Sequence, residues 1–92
     1  MLGIKKVSHH RDYLLYVELT NGIEGYFDVS PYLDKGIFVQ LKNVEYLKMV
    51  KPDACGIRWP KGHDFSADTI EYELRKSPAK LRREPINRGS RR

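Results

Sequence analysis

The sequence predicts a small α+β domain: an antiparallel three-stranded meander, then short helices, a further strand and a C-terminal helix. Three observations carry this expectation. Residues 4–29 alternate apolar and polar with period two around an Asn21-Gly22 turn signal. From Ser30 onward, Pro and Gly cut the chain into pieces too short for long helices, and Ser66 then opens one amphipathic stretch. The 92 residues, 40% hydrophobic and 32% charged, suffice for one domain whose core is near the lower limit for folding without staples.

The first strand is expected over residues 4–9, with a turn over 10–12. The second, residues 13–20, carries Tyr13, Leu15, Val17 and Leu19 on one face and Leu14, Tyr16, Glu18 and Thr20 on the other. The third, residues 23–29, carries Ile23, Gly25, Phe27 and Val29 on one face and Glu24, Tyr26 and Asp28 on the other. Burial decides how these two pair. A two-residue turn would set Leu15 opposite Asp28 and Leu19 opposite Glu24, mixing apolar and acidic groups on both faces. A three-residue loop of Thr20, Asn21 and Gly22, with Gly22 left-handed in a G1 bulge, pairs Leu19 with Ile23, Leu15 with Phe27 and Tyr13 with Val29. One face then becomes core, and Glu18 meets Glu24 on the other. That other face also carries Leu14, Tyr16 and Tyr26, more aromatic than a solvent face needs. The chain's own later helices are the expected cover, with a partner surface as the alternative.

Ser30-Pro31 reads as an N-cap followed by Pro at the first helical position, stopped by Gly36. Phe38 and Leu41 lie three apart. Asn43 is expected to cap a short helix over residues 44–49 with Val44, Leu47 and Val50 inward, ended by Lys51-Pro52-Asp53. Residues 55–59 read as a strand with Cys55, Ile57 and Trp59 on one face, followed by a turn at Pro60-Lys61-Gly62. Ser66 caps the last helix, which runs to about Lys76 with Ile70 and Leu74 inward and Glu71 spaced to pair with Arg75.

Charge divides the chain. Residues 1–74 hold nine Lys and Arg against eleven Asp and Glu, a net of −2, whereas residues 75–92 hold eight against one, a net of +7. The expected organisation is a compact domain over residues 1–76 and a basic, flexible tail over 77–92, too poor in apolar residues to offset the entropy of ordering it. Such an arm binds nucleic acid or acidic protein surfaces. No apolar run approaches the ~18 residues of a membrane span, and the N-terminus lacks the apolar stretch of a secretory signal, so the cytoplasm is the expected location. Cys55 is alone, which excludes an internal disulfide, and a zinc site would have to draw on His9, His10, His63 and carboxylates.

The Asn21-Gly22 turn, Gly36-x-Phe38-x-x-Leu41, Ile57-x-Trp59-Pro60-x-Gly62-x-Asp64 and Ser66-x-Asp68-x-Ile70-x-Tyr72 together resemble a widespread bacterial family, the domain of unknown function DUF2442. The resemblance covers roughly residues 4 to 74, is most specific at Trp59-Pro60-Lys61-Gly62-His63-Asp64, and leaves the tail outside. It implies an α+β meander domain, of a family with no established enzymatic activity. Some members are encoded beside another small protein as a toxin–antitoxin-like pair. Others carry a helix-turn-helix domain afterwards, which the short tail here cannot supply.

His63, Asp64 and Asp68 are the best candidates for chemistry, since a His with two carboxylates can hold a divalent metal or work as acid and base. Asp64 and Asp68 also have a simpler place beside the positive end of the last helix. His9 and His10, adjacent in a strand, point to opposite faces. Trp59 shares a face with Ile57 and Cys55, which favours a core place, yet its position at a strand end before Pro60 makes it a candidate for partner contact. Phosphate loops, nucleotide fingerprints and nucleophile elbows are absent from the sequence. The expected role is a non-enzymatic accessory protein that binds a protein partner encoded nearby, as the antitoxin-like member of a two-gene module, with no cofactor, no metal and no membrane. Its candidate partner-binding residues are Tyr16, Tyr26 and Trp59 on the body and Lys80, Arg82, Arg83, Arg88, Arg91 and Arg92 on the arm. The alternative is sequence-nonspecific nucleic-acid binding through the arm, and a third reading is a metal-dependent hydrolase centred on His63.

Overall fold

The computed structural model describes residues 1–76 and the backbone of a strand at Leu81–Arg83. Strands β1 (Ile4–Arg11), β2 (Leu14–Leu19) and β3 (Glu24–Asp28) form the antiparallel meander. A second antiparallel sheet is made of β4 (Lys51–Asp53), β5 (Gly56–Arg58) and β6 (Asp64–Ser66). Between the sheets run 3₁₀ segments Ser30–Tyr32 and Gly36–Lys42 and helix α1 (Val44–Leu47). Helix α2 (Ala67–Lys76) follows β6, and β7 (Leu81–Arg83) returns to the first sheet, whose order is β1-β2-β3-β7.

The β2–β3 register is the one burial demanded. Leu15 lies opposite Phe27 and Val17 opposite Gly25, and the Leu19 N–H donates to the Ile23 carbonyl at 2.8 Å. Gly22 closes the loop at φ 94°, donating to the Leu19 carbonyl, and the Asn21 side chain accepts from the Ile23 N–H at 3.1 Å. Only a residue without Cβ takes that conformation without strain. At the other end β1 is longer than its alternation suggests. A register shift between His9 and Arg11 absorbs one residue, and the turn moves to Asp12, at φ 47°, and Tyr13.

Leu15, Val17, Leu19, Ile23, Phe27 and Val29 build one wall of the core, and Leu41, Leu47, Ile57, Trp59, Ile70 and Leu74 close it from the opposite side. Phe65 sits among rings at its centre. It meets Phe27 edge-on at 5.0 Å, Phe38 in a stack at 4.9 Å and Tyr32 at 4.9 Å. The strand that carries Phe65 packs directly on β5, and a Cβ at Gly56 would collide with the Phe65 carbonyl. Gly56 is therefore fixed by close approach rather than by its dihedral angles.

Several local expectations change. Ser30 is not a cap: Val29 holds that position, and the Asp28 carboxylate accepts from both the Ser30 N–H and its hydroxyl. Asn43 does cap α1, accepting from the Glu45 N–H at 3.0 Å, but the helix stops at Leu47 and buries Tyr46 with Leu47, while Val44 is half-exposed. Cys55 is exposed rather than in the core, because β5 begins one residue later and Cys55 lies in the turn after β4, its thiol 3.7 Å from the Met1 sulfur. Ser66 caps α2 as expected, its hydroxyl accepting from the Thr69 N–H at 3.1 Å.

Candidate functional site

The side chains of β2 and β3 that point away from the core are Leu14, Tyr16 and Glu18, and Glu24, Tyr26 and Asp28, all half-buried. Strand alternation puts them together, and register sets Tyr16 opposite Tyr26 and Glu18 opposite Glu24. The two tyrosine rings lie 5.8 Å apart at 54°, and His10, carried outward by the irregularity at the end of β1, places its ring 4.6 Å from Tyr26. The result is a continuous aromatic strip. Beside it lies a shallow, open depression of about 480 Å³ bordered by His10, Arg11, Leu14, Tyr26 and Asp28.

Glu18 facing Glu24 is a like-charge pair, and Tyr16 reduces its repulsion. The Tyr16 hydroxyl donates to Glu18 Oε2 at 2.7 Å and lies within hydrogen-bonding reach of Glu24 as well. Burial, and then the two carboxylates, push the Tyr16 phenol well above the ordinary tyrosine range, since a phenolate there would be a third negative charge. On the core side Tyr32 is raised too, by burial and by its bond to Glu73 at 3.1 Å.

The later helices do not cover this face. Tyr46 and Leu47 of α1 and Ala67, Ile70 and Leu74 of α2 enter the core on the opposite side of the sheet, together with Leu15 and Phe27. Among the described residues no helix overlies Tyr16 and Tyr26. The expectation that the chain would bury this strip under its own helices is corrected: α2's single apolar stripe is spent on the core.

Trp59 belongs elsewhere. It is 1% exposed, and its indole N–H donates to the Leu47 carbonyl at 2.9 Å, so it offers no surface to a partner. His63, 3% exposed, is held at both ring nitrogens. The Ile37 carbonyl, 2.8 Å from Nε2, can only accept, which places the ring proton on Nε2 and leaves Nδ1 to accept from the Tyr46 hydroxyl at 2.8 Å. The Lys61 N–H donates to that same hydroxyl at 3.1 Å. His63 is thus a latch joining the second 3₁₀ segment, α1 and the loop before β6. Asp64 and Asp68 are both exposed, one on β6 and the other in the first turn of α2, and His63 points inward away from them. Among the described residues no three His, Cys, Asp or Glu side chains are grouped to hold a metal ion.

Of the arm, Lys80, Arg88, Arg91 and Arg92 lie outside the described residues, as does most of the expected flexible tail over 77–92. Arg82 and Arg83 fall in β7, a strand that was not expected, where Arg83 is opposite Glu24 and Leu81 opposite Gly25. Three residues with one aliphatic carry no readable alternation. The latch at His63 was missed for a related reason: Tyr46, Lys61 and Ile37 are scattered along the chain and only the fold assembles them.

An antiparallel meander, a small second sheet and short helices sharing one core define a compact α+β domain with an aromatic strip on the outer face of its first sheet. Residues 4–76 match the family model described as Protein of unknown function (DUF2442), and the chain belongs to that family. Neither a curated protein nor a solved structure matches it. No helix among the described residues is long and apolar enough to cross a membrane.

Proposed function

We propose that this protein is a non-enzymatic accessory module that docks a protein partner on the outer face of its first sheet, as the antitoxin-like member of a two-gene module. One observation carries the reading: Tyr16, Tyr26 and His10 form a partly exposed aromatic strip on a face that no helix among the described residues overlies. Tyrosines bring large contact area at low conformational entropy, and together with a neighbouring apolar residue, here Leu14, they suit the centre of an interface. The non-enzymatic part is supported by the engagement of both His63 nitrogens and by the separate, exposed placement of Asp64 and Asp68.

The test is calorimetric titration of the full chain with the protein encoded beside it. Tyr26→Ala is expected to weaken binding at least about tenfold, as interface aromatics do, while changing stability by less than about 1 kcal/mol. Unchanged affinity in this variant would remove the sheet face as the site. The surplus of eight basic residues over one acid in residues 75–92 favours a second reading, nucleic-acid binding by the arm. Titration with duplex DNA at two salt concentrations decides it, because phosphate contacts make affinity fall steeply with salt.

A further inference from the structure

Hydrogen bonding fixes which backbone groups of β3 point away from β2. The Leu19 N–H donates to Ile23 and the Val29 N–H to Tyr13, so the odd-numbered positions face β2 and the even-numbered ones, Glu24 and Tyr26 among them, face the opposite edge. Among the described residues β7 pairs with this edge at Glu24 and Gly25, with a register shift between them. What it seats there is the sequence Leu81-Arg82-Arg83, basic in character, with Arg83 opposite Glu24, which on its other side is opposite Glu18. The family match ends at residue 76, before this strand, so the acceptor edge lies within the shared domain and its occupant outside it.

We propose that the edge of β3 is a strand-acceptor site for an extended basic segment of the protein partner, and that the chain's own Leu81–Arg83 holds the place until that segment displaces it. This rests on the partner-binding reading above and names how the partner engages. Strand addition draws affinity from backbone hydrogen bonds and specificity from alternate side chains. A partner strand running the length of β3 forms backbone bonds beyond the pairing that β7 makes among the described residues, and brings its side chains beside Tyr26. The acidic pair selects for Lys and Arg in the incoming strand, as in the segment already seated. The resident strand has one advantage. Four residues separate it from Lys76, so its effective concentration at the edge is on the order of millimolar, and a free peptide must compete against that.

The experiment uses the full chain and a fluorescein-labelled peptide of residues 79–84, Ala-Lys-Leu-Arg-Arg-Glu. Leu81→Pro with Arg83→Pro removes two backbone donors from the resident strand. The double variant should bind the peptide at least about tenfold more tightly than the unmodified chain by fluorescence polarisation, since the tethered competitor is gone. A peptide of the same charge, N-methylated at alternate residues, should not bind. Equal affinity for the two proteins, or equal binding of the methylated peptide, would overturn the proposal and reduce the contact to charge alone. If the double variant folds poorly, the unmodified chain with excess peptide still decides: amide resonances of Glu24 and Tyr26 should shift while those of β1 stay, and no change at β3 overturns the proposal. Failure here with the neighbouring protein still bound through Tyr26 leaves the sheet-face reading standing. Peptide capture without any effect of Tyr26→Ala on the neighbouring protein removes the sheet-face reading instead.

Discussion

Two aromatic clusters, one inside and one outside, are built from the same residue types and end with opposite properties. Inside, Tyr46, Trp59 and His63 have each polar atom matched: indole to the Leu47 carbonyl, hydroxyl to the imidazole, imidazole to the Ile37 carbonyl. Outside, the Tyr16 hydroxyl is tied to carboxylates, but the rings of Tyr16 and Tyr26 stay partly exposed to solvent and His10 is exposed beside them. A saturated cluster can only support the fold, because any ligand would have to displace a bond already made. An exposed one keeps its apolar area available for a second molecule. The residue types do not separate the two; polar satisfaction does.

The sharpest way to break this contrast is to delete a ring on the saturated side. Trp59→Ala removes the largest fully buried side chain and takes from the Leu47 carbonyl its shorter hydrogen bond, leaving the one from the Val50 N–H, and urea unfolding should show a loss of about 3–5 kcal/mol, enough to unfold much of the population of a domain this small. The same truncation at Tyr26 should hardly move the midpoint. His63→Leu keeps apolar volume but leaves the Tyr46 hydroxyl and the Ile37 carbonyl with a lost partner, so about 2–3 kcal/mol should go. Adding Tyr46→Phe should then do less further harm than it does alone, because both changes break one bond; full additivity would mean the latch is not a unit.

Gly22→Val tests the turn that places the outer face. A β-branched residue at φ 94° is strained, and thermal unfolding should report a loss of about 1 kcal/mol or more. The smallest effect concerns Tyr16. Its phenol is raised by burial and by Glu18 and Glu24, so the folded state holds the proton more tightly than the unfolded chain, whose tyrosines titrate near pH ~10. The stabilisation is fully present below that pH and is lost as pH climbs toward the higher folded value. Stability should therefore decline with alkaline pH above about 10, and Tyr16→Phe should flatten that decline without removing the part owed to Tyr32.

The hairpin was legible to the residue. Gly22 after Asn21, with apolar residues on one parity in both strands, leaves one register that buries Leu15 and Phe27 together and spares Asp28. The outer strip was legible too, since Tyr16 and Tyr26 fall on the parity opposite the core. Of the second sheet only β5 could be read, as the strand expected over residues 55–59; its partners could not. β4 is exposed along its length and shows no alternation, and β6 has a single apolar residue, Phe65. Strands of three residues are defined by what they pair with, not by what they contain. For the same reason Cys55, apparently in phase with Ile57 and Trp59, drops out of the core once β5 starts at Gly56. Asp28 taking the Ser30 donors was hidden because it also completes β3.

The latch at His63 has a consequence for how the molecule comes apart. Between Gly36 and His63 the longest regular element is a seven-residue 3₁₀ segment, so these residues cannot hold shape by local hydrogen bonds. Their order depends on Ile37, Tyr46, Lys61 and His63 meeting at one place, with separations along the chain of up to 26 residues. Such a segment opens as one cooperative unit rather than fraying from an end. Amide exchange should then give the Lys61 N–H and the neighbouring Trp59 and Gly62 amides a common opening free energy, slower in onset of order during refolding than the β2–β3 hairpin, whose contacts are nearly all local.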